Sequence, residues 1–126
     1  MKYHSGSLIF ATISVVISAS VFVMNLDVEI PMIHADEGSY IASAAAIAGF
    51  PNDFASSYHS GYSVFLSPVF LLVTDPLNVW TGIKLVNSIL LFASCVGLWV
   101  LSFKVSPGTI FAHRLMATTA ISIFPT

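Results

Sequence analysis

From Leu8 to Met24 the chain reads LIFATISVVISASVFVM, 17 residues without a charge. An α-helix rises 1.5 Å per residue, so this run carried on to Leu26 is about 28 Å long, close to the ~30 Å hydrocarbon core of a bilayer. The rest of the chain is of the same kind: of 126 residues, 56% are hydrophobic and 8% charged, with a mean hydropathy of +0.90. A soluble domain carries about 25% charged residues, which excludes an ordinary cytosolic globular domain. So apolar a chain is no disordered tail either. Four scattered cations make no basic patch for nucleic acid. The single cysteine, Cys95, has no internal disulfide partner, and no Cys/His spacing suggests structural zinc. The sequence therefore describes an integral membrane protein. A cleaved signal peptide would have a shorter apolar region, about 7–15 residues. Here the one small-x-small site, Ser18-Ala19-Ser20, lies inside the run, so the segment reads as an uncleaved anchor.

The second apolar run, Tyr62 to Val73, has 12 residues and contains Pro68. Runs of about 10–14 residues favour an interfacial helix over a span. Thr74-Asp75-Pro76 then gives a helix start, with Asp75 as N-cap and Pro76 in the first helical position. From there to Phe103 the sequence is apolar apart from Lys84, with Trp80 near one end and Lys104 just beyond the other. That is a full span with an aromatic and a basic anchor. Ser106-Pro107-Gly108 breaks it. Leu115 to Thr126, 12 residues or about 18 Å, reads as the start of a third membrane helix. The expected fold is thus all-α and membrane-integral. Spans cover about 7–26 and 76–103, a turn 104–114, and an incomplete third span 115–126. An outward loop, 27–75, carries two short membrane-parallel helices near 37–48 and 61–73. The whole of 1–126 reads as one N-terminal membrane segment of a larger domain.

Lys2, Lys104 and Arg114 flank the expected spans on one side, and positive-inside makes that side cytoplasmic. All six acids, Asp27, Glu29, Asp36, Glu37, Asp53 and Asp75, fall in the loop between the first two spans. This implies a multi-pass protein of the plasma (inner) membrane with a cytoplasmic N-terminus and its chemistry outside.

Within the loop, His34-Ala35-Asp36-Glu37-Gly38-Ser39-Tyr40 opens an Ala-rich segment that Gly49 and Pro51 close, as a helix C-terminus closes. The plain account of the acids is that Asp36 caps the helix and both carboxylates favour its positive end. The functional account is that they stand at the bilayer surface, facing outward. A divalent metal held by Asp36 and Glu37 with His34 and His59 lacks any patterned spacing, so no cofactor is expected. Tyr40, Tyr58, Tyr62 and Trp80 read first as interface anchors. Asp27, Glu29 and Asp53 read as solvated charges, and Cys95 as an apolar packing residue.

In order, these elements resemble the N-terminal quarter of the GT-C superfamily of membrane glycosyltransferases, the enzymes that take sugars from polyprenyl- or dolichyl-phosphate carriers. Protein O-mannosyltransferases and aminoarabinose transferases belong to it. His34-Ala35-Asp36-Glu37 looks like the His-Pro-Asp-Glu of the eukaryotic mannosyltransferases, with Ala35 in place of the proline. Tyr58-His59-Ser60-Gly61-Tyr62 stands where bacterial members often carry Lys-Pro-Pro-Leu-Tyr, here without the lysine and prolines. Lys84-Leu85-Val86-Asn87 is similar to the Arg-Leu-x-Asn that opens their second membrane helix.

The resemblance implies that Asp36 is the base that takes the acceptor hydroxyl's proton and that Glu37 binds or orients the acceptor. It also implies substrate-binding roles for Lys84, His59 and Tyr62. Lys84 is the only cation available to the donor phosphate between Lys2 and Lys104, against a plainer reading as a snorkelling lysine. The implied partners are the bilayer, a polyprenyl-phosphate-linked sugar and the remainder of a full-length enzyme, without which 126 residues are expected to be inactive. The competing expectation is a small non-catalytic multi-span protein that binds or regulates a partner through its outward loop.

The topology is open to direct measurement. In a Cys95→Ser background, cysteine placed at Ser56 should be labelled from outside by an impermeant reagent and cysteine at Ser106 only from inside. Labelling of residue 106 but not 56 from outside would reverse the orientation.

Overall fold

The computed structural model describes residues 2–28, 35–50, 60–105, 108 and 110–123, without the side chains of 2–5, 35–36 and 118–123. The described residues are all-helical: α1 (Lys2–Leu26), α2 (Ala35–Ile47), α3 (Gly61–Leu72), α4 (Pro76–Val105) and α5 (Phe111–Ile123). Two segments, Gly6–Leu26 and Pro76–Val105, are long and apolar enough to cross a membrane. Large apolar side chains stand exposed along both, Leu8 and Met24 on α1 at 70% and 77%, Ile89 and Val100 on α4 at 56% and 53%. Water tolerates contiguous apolar surface of this kind poorly, whereas a bilayer fits it.

The helix ends follow from local chemistry. Pro76 opens α4, and the Asp75 carboxylate accepts the Asn78 N–H at 3.0 Å, the N-cap expected of Asp-Pro. Helix α2 stops in paired reverse bonds, Phe50 N–H to the Ala45 carbonyl (2.9 Å) and Gly49 N–H to the Ala46 carbonyl (3.0 Å). This is a Schellman end, and it needs a residue in the left-handed region, which Gly49 supplies at φ 91°. Pro68 sits inside α3 and has no N–H to give Val64, one turn back. The Ser67 hydroxyl donates to that Val64 carbonyl instead, at 3.0 Å.

The chain divides into two compact units, Met1–Met24 with Asn87–Thr126, and Asn25–Val86. The first is built on aromatic packing. Phe10 stacks on Trp99 with ring centroids 4.4 Å apart, and Phe103 and Phe111 meet the Trp99 ring edge-on at 5.2 and 5.7 Å. Cys95 is fully buried beside them, as a small packing residue. Arg114 lies in α5 and is buried, its guanidinium 3.9 Å from the centre of the Phe103 ring. A turn over 104–114 was expected, because Ser106-Pro107-Gly108 breaks the apolar run and Lys104 and Arg114 flank it. Instead α4 runs through Lys104, and α5 takes in His113 and Arg114.

The second unit centres on Ala44, Leu66 and Ile83, one residue each from α2, α3 and α4. Ile41, Tyr62, Phe70, Val79, Trp80 and Val86 pack around them. Small residues set the spacing between α3 and α4. A Cβ on Gly82 would lie 2.5 Å from Cγ1 of Val69, a stiff β-branched side chain. Gly82→Ala should therefore destabilise the fold by about 1–3 kcal/mol, the usual cost of overpacking. Gly97→Ala, on the same helix but facing open space, should be neutral or stabilising by up to about 1 kcal/mol. Thermal unfolding of both variants in detergent checks the contrast.

Candidate functional site

Asp36 and Glu37 occupy the first turn of α2, which begins at Ala35. Asp36 was expected at the cap; as the second helical residue it stands two positions inside it. Glu37 is exposed. Two carboxylates here meet the positive end of the helix dipole.

One turn along α2, the Tyr40 ring meets Tyr62 of α3 edge-on, with centroids 5.6 Å apart at 82°. The fully buried Ser63 donates its hydroxyl hydrogen to the Tyr40 carbonyl at 3.0 Å. Tyr62, singled out in the sequence, is thus tied by α3 to the helix that carries the acids. The two helices pack along their lengths, and small residues on α2 (Ala42, Ser43, Ala44 and Ala45, all buried) let them approach closely.

Lys84 stands elsewhere in the same unit. It is 8% exposed. Its ammonium donates to the Val28 carbonyl at 2.7 Å and the Leu26 carbonyl at 3.2 Å, both where the chain leaves α1. The Trp80 indole N–H donates to the same Val28 carbonyl at 2.8 Å, and the ammonium lies 5.5 Å from the Trp80 ring centre. Lysine near a helix C-terminus satisfies orphan carbonyls and favours the negative end of the dipole.

His34 and His59 lie outside the described residues, as does the Asp36 side chain. Among the described residues no group of three or more His, Cys, Asp or Glu converges as metal ligands would. An open apolar cleft of about 370 Å³, lined by Ala45, Phe50, Phe70, Val73, Thr74, Pro76 and Val79, lies toward the C-terminal ends of α2 and α3. The acids are at the opposite end of α2.

Sequence reasoning found Asp36, Glu37, Tyr62 and Lys84 but missed Ser63 and the indole donor of Trp80. Serine in an apolar run carries no sign of a partner 23 positions away. The described residues define a class by architecture: they are all-helical, with two membrane-length helices and, between these in sequence, a short helix opened by an acidic pair. No protein-family model, curated protein or solved structure matches the chain.

The Ser63 contact yields a prediction about this frame. Ser63→Ala removes one buried hydrogen bond to the Tyr40 carbonyl and should cost about 1 kcal/mol in thermal unfolding. Ser63→Val, which adds bulk at a fully buried position, should cost more.

Proposed function

We propose that the chain forms part of a GT-C-type glycosyltransferase of the plasma (inner) membrane, moving a sugar from a polyprenyl-phosphate carrier to an acceptor hydroxyl on the extracytoplasmic side. The observation that carries this reading is the acidic pair Asp36-Glu37 in the first turn of α2, the helix that follows membrane-length α1 in sequence. Helices α2 and α3 lie along the outer membrane surface in this reading, and α5 begins a third span.

The chemistry asks little of the protein beyond placement and a base. The leaving phosphate departs readily, so acid help is minor. The acceptor hydroxyl must lose its proton as its oxygen attacks the anomeric carbon. Asp36 takes that proton, and Glu37 binds or orients the acceptor beside it. General-base help of this kind is worth about 10²–10⁴ in rate.

The test is transfer in membranes carrying the protein with its native chain context, supplied with a polyprenyl-phosphate-linked labelled sugar. Asp36→Asn should retain the fold and lower transfer by at least ~10²-fold, and Glu37→Gln should lower it less. Near-normal turnover of Asp36→Asn would remove Asp36 from the mechanism. Absence of transfer from any such carrier would favour a non-catalytic membrane protein that engages a partner through residues 27–75.

A further inference from the structure

We propose that Lys84, together with Trp80, is a positioning residue that fixes where the chain leaves α1 and so the placement of the helix bearing Asp36, and that it is no ligand for a substrate phosphate. The proposal rests on the glycosyltransferase reading for its catalytic consequence alone; the clamp itself rests on geometry.

Leu26 is the last residue of α1, and its carbonyl is among the four at a helix end that have no intrahelical partner. Val28 lies just beyond. Its N–H turns back to the Asn25 carbonyl at 3.2 Å, and its own carbonyl receives two donors, the Lys84 ammonium at 2.7 Å and the Trp80 indole at 2.8 Å. A carbonyl oxygen has two lone pairs, so these donors saturate it. A second ammonium hydrogen serves Leu26 at 3.2 Å. Two of the three ammonium hydrogens are thus engaged by backbone, and Lys84 is only 8% exposed, so the group is held at the α1 exit rather than presented to a ligand.

The clamp also reaches α2, the helix that bears the acids, through described residues. The Trp80 ring packs in the cluster built on Ala44 of α2 and Leu66 of α3, alongside Ile41 and Tyr62. One side chain therefore holds the α1 exit with its N–H and the α2–α3 pair with its ring. Lys84 sits one turn further along α4, its ammonium within cation–π range of that ring. Together they set the α1 exit and the middle of α2, at Ile41 and Ala44, against one platform.

The experiment has two arms, both on the protein in its native chain context. In the first, spin labels at Asp27→Cys and Ile47→Cys in a Cys95→Ser background report the distance between the α1 exit and α2. The unclamped variants Lys84→Met and Trp80→Phe should broaden or shift a narrow distribution. Lys84→Arg, which keeps a cation with several donors, should preserve it. In the second, Lys84→Met should lower kcat for sugar transfer by about 10²-fold, the scale of a small misplacement, with KM for the lipid donor unchanged within about twofold. Lys84→Arg should restore kcat. An unchanged distance distribution in Lys84→Met overturns the clamp whatever the activity. An unchanged distribution with a raised donor KM assigns Lys84 to the phosphate instead. Failure of every protein to transfer sugar overturns the functional reading, while the distance arm still decides the clamp.

Discussion

The Val28 carbonyl is the point on which the described core of the second unit turns. It accepts hydrogen bonds from two side chains of α4, Lys84 and Trp80. The constraint behind this is general. A helix ends with carbonyls that have lost their intrahelical partners, and side-chain donors are one way to satisfy them. A chain with 8% charged residues has few donors to spare. Here one lysine and one indole do the work, and the same indole ring is a wall of the cluster around Ala44, Leu66 and Ile83.

Charge is partitioned between the units as sharply as the contacts are. All six acids lie within Asn25–Val86, and the one cation there is Lys84. The other unit has Lys2, Lys104 and Arg114 and no carboxylate. Each unit handles its buried cation in the way its surroundings allow. Lys84, a compact charge with three donors, turns to backbone carbonyls. Arg114, a planar and more weakly hydrated ion, lies against the face of Phe103. Both solutions bury the hydrocarbon stem as well as the head.

How much of this the sequence discloses depends on range. Features written in neighbouring residues are legible. Asp75-Pro76 opens α4, Gly49 closes α2, and the two short helices fall within two residues of their expected bounds. Features that depend on distant partners are not. Nothing near Lys84 in the sequence points to carbonyls 56 and 58 positions away, so its burial read as a substrate contact or a snorkelling side chain. Arg114 failed for a related reason. It was placed in the turn that follows the second span, but an aromatic face eleven residues back, Phe103 on α4, covers its guanidinium within α5. The acidic pair is intermediate: its helix was legible, but the helix starts two residues earlier than expected, which moves Asp36 from the cap into the first turn.

That shift matters for how the pair is understood. A capping residue is bound to its helix, because its side-chain oxygen serves the N–H groups of the first turn. Asp36 follows Ala35, the first helical residue, so the start of α2 does not call on it as a cap. A carboxylate in the first turn gains about 0.3–1 kcal/mol from the dipole when exposed, weakened by salt. Helix α2 has stronger supports than that. Ala44 is wholly buried against Leu66 and Ile83, and Ser63 holds the Tyr40 carbonyl. The helix would therefore keep its place with either carboxylate neutralised. Two adjacent acids are more than its stability requires, and a substitution there can change chemistry without first changing the fold.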